Sequence, residues 1–183
     1  MLVEITPQRH RVAIDLRYAT ADNFTGKPVY KKGARCFLHP EAEAALVRAR
    51  DLASAQGYGL LVFDAYRPTE AQWKLWEHTP DPDFLADPRR GSPHSRGVAV
   101  DLTLTRAGTP LDMGTEFDAF TPLSHHGSLV IHTEAQRNRI LLMGIMTIAG
   151  WDFYRNEWWH YQLFNARQYR LFADSEAGTG MMP

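Results

Sequence analysis

The chain has 183 residues, 44% of them hydrophobic and 22% charged, the profile of a single globular domain over 1–183 with a core of its own. A net charge of -1 argues against a whole-chain basic footprint for nucleic acid, and no apolar run reaches the length of a membrane span. Cys36 is the only cysteine, which excludes an internal disulfide and a thiolate metal cage; with an N-terminus, MLVEITPQRH, that lacks the basic-then-apolar order of a secretory signal, this predicts a reducing, cytoplasmic setting.

In chain order, HRVAIDLRY (10–18) alternates Val12, Ile14, Leu16 and Tyr18 on one face and predicts a strand. ADNFTGKPVY (21–30) is rich in turn formers and reads as an ordered loop. A helix is predicted from about Pro40 to Gln56, with Pro40 at its first position and Gly57 to close it. LLVFDAY (60–66) is a short apolar run suited to a buried strand, and Pro68 opens a second helix over 68–78. Residues 79–93 hold four prolines and Gly91, a long irregular loop of the kind that often carries function. VAVDLTLT (98–105) reads as a strand with Val98, Val100, Leu102 and Leu104 on one face and Ala99, Asp101, Thr103 and Thr105 on the other. Thr133 with Gln136 is a capping-box signal for a third helix over 134–149. WWHYQLF (158–164) predicts the last strand, and the tail from Asp174 to Pro183 is expected to be loose. The order implies an α+β fold: a small, mainly antiparallel sheet with helices packed on one face.

Three segments carry chemistry: DAYRP (64–68), SPHSRGVAVD (92–101) and EWWH (157–160). Hydrolytic zinc takes three protein ligands from His and carboxylates and keeps a fourth position for water. His94, Asp101 and His160 make such a set, two neutral imidazoles and one carboxylate, for a formal site charge of +1. Gly97 can relieve the bend between the first two, and the small Ala99 leaves room for an ion. Glu157 is placed to move protons between an attacking water and a departing amine. Three residues along a regular strand would put Glu157 and His160 on opposite faces, so Glu157 is expected in the turn before the strand. Arg67, at the end of a buried strand, can stabilise a developing oxyanion.

Taken singly, each residue has an ordinary reading. Asp101 can cap a turn or pair with a buried Arg, Arg67 can be a structural ion-pair partner, and Glu157 can be a solvated turn residue. Trp158 and Trp159 read as core. Jointly they read otherwise, because a charged Asp in a Val/Leu strand is costly without a partner, and a metal is one good partner.

SxHxxGxAxD with a later ExxH, here Ser92, His94, Gly97, Ala99 and Asp101, then Glu157 and His160, resembles the metallopeptidases that include D,D-carboxypeptidases, hedgehog-like domains and D-alanyl-D-alanine dipeptidases. YATADNFTGKPVY (18–30), GYGLLVFDAYRP (57–68), LDMGTEFDAFTPLSHH (111–126) and EWWHYQ (157–162) are similar to the dipeptidases of the vancomycin-resistance type and their relatives. The resemblance runs from about Arg17 to Gln162, and no metal or catalytic position departs from the pattern. It implies one zinc per chain on His94, Asp101 and His160, Glu157 as general base and acid, and Arg67 as oxyanion stabiliser. It also implies Ser92 on the substrate's C-terminal carboxylate and Tyr18 with Asp118 on its ammonium. The implied reaction is hydrolysis of D-alanyl-D-alanine to two D-alanine.

A free dipeptide is a zwitterion, so a site that demands both ends needs an acceptor for the amine and a donor for the carboxylate. Asp118, in an acidic loop with Glu116, is a plausible acceptor, although an ordinary solvated acid is its simpler reading. His125 and His126 are left to a structural or supporting role because the metal set is complete without them. Two other readings compete: a cell-wall D,D- or L,D-carboxypeptidase with an open amine side, and a non-catalytic zinc-binding domain, disfavoured by the presence of Glu157 and Arg67.

Overall fold

In the computed structural model, which describes residues 1–183, the apolar alternation of 98–105 becomes the central strand of the main sheet. The strands are β1 (Val3–Ile5), β2 (Ala13–Ile14), β3 (Cys36–Leu38), β4 (Gly59–Asp64), β5 (Ala99–Arg106), β6 (Thr109–Pro110), β7 (Trp151–Phe153) and β8 (His160–Leu163). The helices are α1 (Pro7–His10), α2 (Pro40–Ala55), α3 (Thr69–His78), α4 (Thr133–Ile148) and α5 (Asp174–Ala177). The main sheet runs β2-β4-β5-β8-β7 with β6 folded back on β5, while β1 and β3 pair separately. Every pair is antiparallel except β2 with β4, so the architecture is α+β and its sheet mainly antiparallel.

Helix α2 forms because His39 caps Glu41, Pro40 sits at the first position, and the apolar residues recur at helical spacing. Its buried stripe, Ala42, Ala45, Leu46, Ala49 and Ala53, is mostly small, which lets it lie close against β4 and α4. Helix α4 buries Leu142, Ile145 and Met146 beside it. These helices share one core with Val100, Leu102 and Leu104 of β5. By strand alternation Asp101 then points to the face opposite α2 and α4. No helix is long and apolar enough to cross a membrane.

Register places the chemistry. Asp101 is directly opposite Asp64 on β4 and directly opposite His160 on β8. A register shift between Val62 and Asp64 makes the first pairing possible, since a bulge re-aims the side chain beyond it.

Three expectations change. Residues 10–18 alternate in burial as predicted, with Val12, Leu16 and Tyr18 inside, but only Ala13–Ile14 joins the sheet. The chain then coils into a single 3₁₀ turn at Arg17–Ala19, which carries Tyr18 inward. Helix α4 is capped by the His132 ring, which accepts from Ala135 N, and Thr133 is already helical. The tail is ordered: Asp174 accepts from Thr179 Oγ1 and from the amides of Met181 and Met182, and Lys31 N donates to Met181 O. Met181 is buried as a result.

Candidate active site

His94 lies on a 3₁₀ turn, His94–Arg96, that ends at Gly97 with φ +69°. A Cβ on Gly97 would come 2.7 Å from Leu2 Cδ2 and 3.2 Å from the His39 amide. Glycine is therefore required both by the left-handed turn and by the close passage of the His39 backbone. The turn swings the His94 ring over β5, to Asp101.

His94 Nε2, His160 Nδ1 and Asp101 Oδ1 form a nearly equilateral triangle with sides of 3.1, 3.3 and 3.1 Å. A tetrahedral ion with bonds of about 2.0–2.1 Å sets its ligand atoms roughly 3.3 Å apart, so the triangle has the size of one face of such a site. The second nitrogen of each ring fixes its tautomer. His94 Nδ1–H donates to Ala65 O at 2.7 Å, and His160 Nε2–H donates to Gln162 Oε1 at 3.2 Å. Both inward nitrogens then carry lone pairs, and they converge with a carboxylate oxygen. Three acceptors facing one another repel unless a cation lies among them, so this donor set fits a divalent metal. Burial opposes ionisation of Asp101; positive charge on the His94 ring and then on His160 would outweigh it and lower the carboxyl, and a dication held between the neutral rings acts in the same direction.

Arg67 stands beside this triangle. Its Nε donates to Asp64 at 2.8 Å, one terminal nitrogen donates to Gln72 Oε1 at 2.9 Å, and the other reaches Asp101 Oδ2 at 3.4 Å. The guanidinium also lies over the Tyr18 ring, 4.9 Å from its centroid. Asp64 is fully buried and accepts in addition from Tyr30 Oη at 2.8 Å. Arg67 thus has one fixed orientation, with its remaining N–H groups toward the cavity.

Glu157 sits in the connection between β7 and β8, in the turn the spacing required. It is buried, with Oε2 3.8 Å from His160 Nδ1, next to the triangle but not part of it. Burial, then Asp101 and Asp118, push its carboxyl well above the ordinary value, against Arg67. A dication at the triangle would act in the opposite direction.

These groups line a cavity of about 190 Å³. At one end Tyr18 Oη donates to Asp118 Oδ1 at 3.2 Å, while Asp118 Oδ2 is sealed from solvent without any hydrogen-bond partner. Burial, then Asp101, raises the Asp118 carboxyl well above its usual value. Ser92 lines the cavity beside His94, and its Oγ accepts from the His94 amide at 3.2 Å, which leaves its O–H free to donate. The fold therefore gathers all eight residues singled out in the sequence around one cavity. His125 and His126 lie elsewhere: His126 packs on Phe153 and Tyr161, and His125 against Phe84. Of the two tryptophans read as core, both are buried, and Trp159 also forms part of the cavity wall.

Five contributors escaped the sequence reading. Asp64 and Gln72 brace Arg67; Gln162 orients His160; Phe84 and Phe120, stacked with centroids 5.0 Å apart, line the cavity that Asp118 also lines. Loop 79–93 supplies Phe84 and is held over the cavity by Tyr154 Oη and Asn156 Nδ2, both donating to Asp83 O.

The profile of the D-ala-D-ala dipeptidase family matches residues 2–176. The chain belongs to that family. The D-alanyl-D-alanine dipeptidase of Escherichia coli (strain K12) is 47% identical over 162 residues, covering 88% of this chain and 83% of the relative. That of Enterococcus faecium is 40% identical over 176 residues, covering 84% and 87%. Among solved structures, a vancomycin resistance D,D-pentapeptidase VanY, in complex with Zn(II), overlaps 72% of this chain and 75% of its own at 18% identity and a TM-score of 0.47.

Proposed function

We propose that residues 1–183 form one catalytic domain, a zinc-dependent dipeptidase that hydrolyses D-alanyl-D-alanine to two D-alanine. His94, Asp101 and His160 hold the ion; when bound, zinc supplies acidification of water and polarisation of the scissile carbonyl. Glu157 takes a proton from the attacking water and delivers it to the departing amine. Arg67 faces the oxygen on which charge develops, pre-oriented by Asp64 and Gln72 so that little reorganisation accompanies the reaction. Ser92 donates to the substrate's terminal carboxylate.

The observation that carries the dipeptidase reading is the unpartnered Asp118 Oδ2 at a closed end of the cavity. A buried acceptor without a donor is costly, and a substrate ammonium supplies both the donor and the countercharge. Its arrival would also favour the ionised form of a carboxyl whose ionisation burial opposes. The size agrees: about 190 Å³ lies below the range of roughly 300–1,000 Å³ usual for drug-sized ligands, as suits a substrate of two small residues. We place the reaction in the cytoplasm, where a lone buried thiol such as Cys36 stays reduced.

The test compares hydrolysis of D-Ala-D-Ala and N-acetyl-D-Ala-D-Ala by the zinc-loaded protein. Cleavage of the free dipeptide alone supports the reading. Equal cleavage of both would mean an open amine side and a carboxypeptidase.

A further inference from the structure

Beside the catalytic cavity lies a second, larger hollow of about 720 Å³. The two share Pro82, Leu85, Ala86, Pro93, Tyr154 and Gln162 in their walls, so they adjoin each other. The outer hollow is lined by Arg90, Arg96 and Arg167, with Asp87 the only acid. That acid is already engaged, accepting from Arg89 at 2.6, 2.8 and 3.1 Å. None of the three lining arginines has a carboxylate partner. Arg96 is only 9% exposed, and its single protein partner is the carbonyl of Tyr169, which carries no net charge. Three guanidiniums around one hollow repel one another, and such an arrangement is relieved by an anion.

The position of this vestibule gives it a place in the reaction, resting on the dipeptidase reading above. Tyr18 and Asp118, at the amine end, do not line it. Ser92, assigned to the terminal carboxylate, is flanked by Gly91 and Pro93, and both do. With Ser92 on the terminal carboxylate, the C-terminal residue of a bound dipeptide is the one on the vestibule side. We propose that the vestibule is a subsite for an acidic side chain on the C-terminal residue, so that D-alanyl dipeptides ending in D-Glu or D-Asp are substrates favoured over their neutral isosteres. Arg fits the task because its planar fork can bind a carboxylate in a bidentate manner.

The experiment measures kcat/KM of the zinc-loaded protein for D-Ala-D-Glu, D-Ala-D-Gln and D-Ala-D-Ala at low salt. The Glu to Gln ratio is expected at about tenfold or more, the size of one charge-assisted hydrogen bond, and should shrink as salt rises. Arg90→Gln with Arg167→Gln should bring the ratio toward one; both side chains are exposed, so the fold is not at stake. Using the ratio cancels any loss common to all substrates. If D-Ala-D-Ala is cleaved and the ratio is near one, the inference is overturned and the dipeptidase reading stands. A preference undiminished by the double substitution overturns it too, since two of the three arginines of the proposed subsite would then take no part in it. Failure to cleave any of the three overturns the dipeptidase reading itself.

Discussion

Asp64 and Asp101 face each other directly across β4 and β5, two buried acids bridged by Arg67. Like charges opposite one another destabilise a sheet, and the guanidinium between them offsets this. Arg67→Lys keeps the charge but lacks the fork that reaches Asp64, Gln72 and Asp101 together. Its kcat should fall by roughly 10²–10³, the usual cost of one oxyanion donor. Circular dichroism at the assay temperature separates this from unfolding, and near-normal kcat in the folded variant would leave Arg67 a structural part only.

Metal removal should loosen the protein, because His94, His160 and Asp101 then converge as three unneutralised acceptors. At zinc about 100-fold above its dissociation constant, the linked stabilisation is ~2.7 kcal/mol, on the order of 5–10 °C in Tm for a chain this size. Differential scanning calorimetry with chelator, then with zinc restored, gives the shift. Identical melting in both states would contradict the ligand assignment.

Glu157→Gln should retain zinc and lose turnover by about 10²–10⁴. Burial and neighbouring acids already favour the uncharged carboxyl, so the neutral isostere should fold. Elemental analysis alongside kcat decides. Stoichiometric loss of zinc would make Glu157 a ligand rather than a proton carrier.

Asp118→Asn should lower kcat/KM for D-Ala-D-Ala far more than it lowers zinc content. The wild type should discriminate against the acetylated dipeptide by about 10⁴-fold, because acetylation leaves the Asp118 acceptor unpaired. Steady-state kinetics on both substrates, with each protein, test this.

Stability should decline in acid through His126. Burial first, then Arg139, lowers its pKa to about 4, against an ordinary value of 6.5. Between those values the unfolded chain binds the extra proton, so the contribution is complete above pH ~6.5 and is lost as pH falls through about 4. His126→Phe should flatten that part of a denaturant-stability curve taken from pH 7 to 4. An unchanged slope would assign the acid sensitivity to other groups.

Much of this was legible in the sequence because it is local. Apolar spacing gives α2 and β5 nearly to the residue, and the short spacing from Glu157 to His160 forces Glu157 off the strand. The argument that singles out Asp101, a charge in an apolar strand, applies equally to Asp64 in LLVFD. Period two along HYQL puts Gln162 on the same side as His160, a signal sufficient to suggest their hydrogen bond. The bulge that aligns Asp64 with Asp101 depends on partners far apart in the chain. The capture of the tail by Asp174 likewise depends on side-chain to backbone bonds that composition does not express.

The direct opposition of Asp101 and His160 across β5 and β8 ties assembly to ion uptake. Sliding β8 by one residue would turn His160 to the helix-covered face and dismantle the triangle. A misregistered sheet would therefore lose the ligand set, whereas an ion bound to Asp101 and His160 would favour the native register over its neighbours.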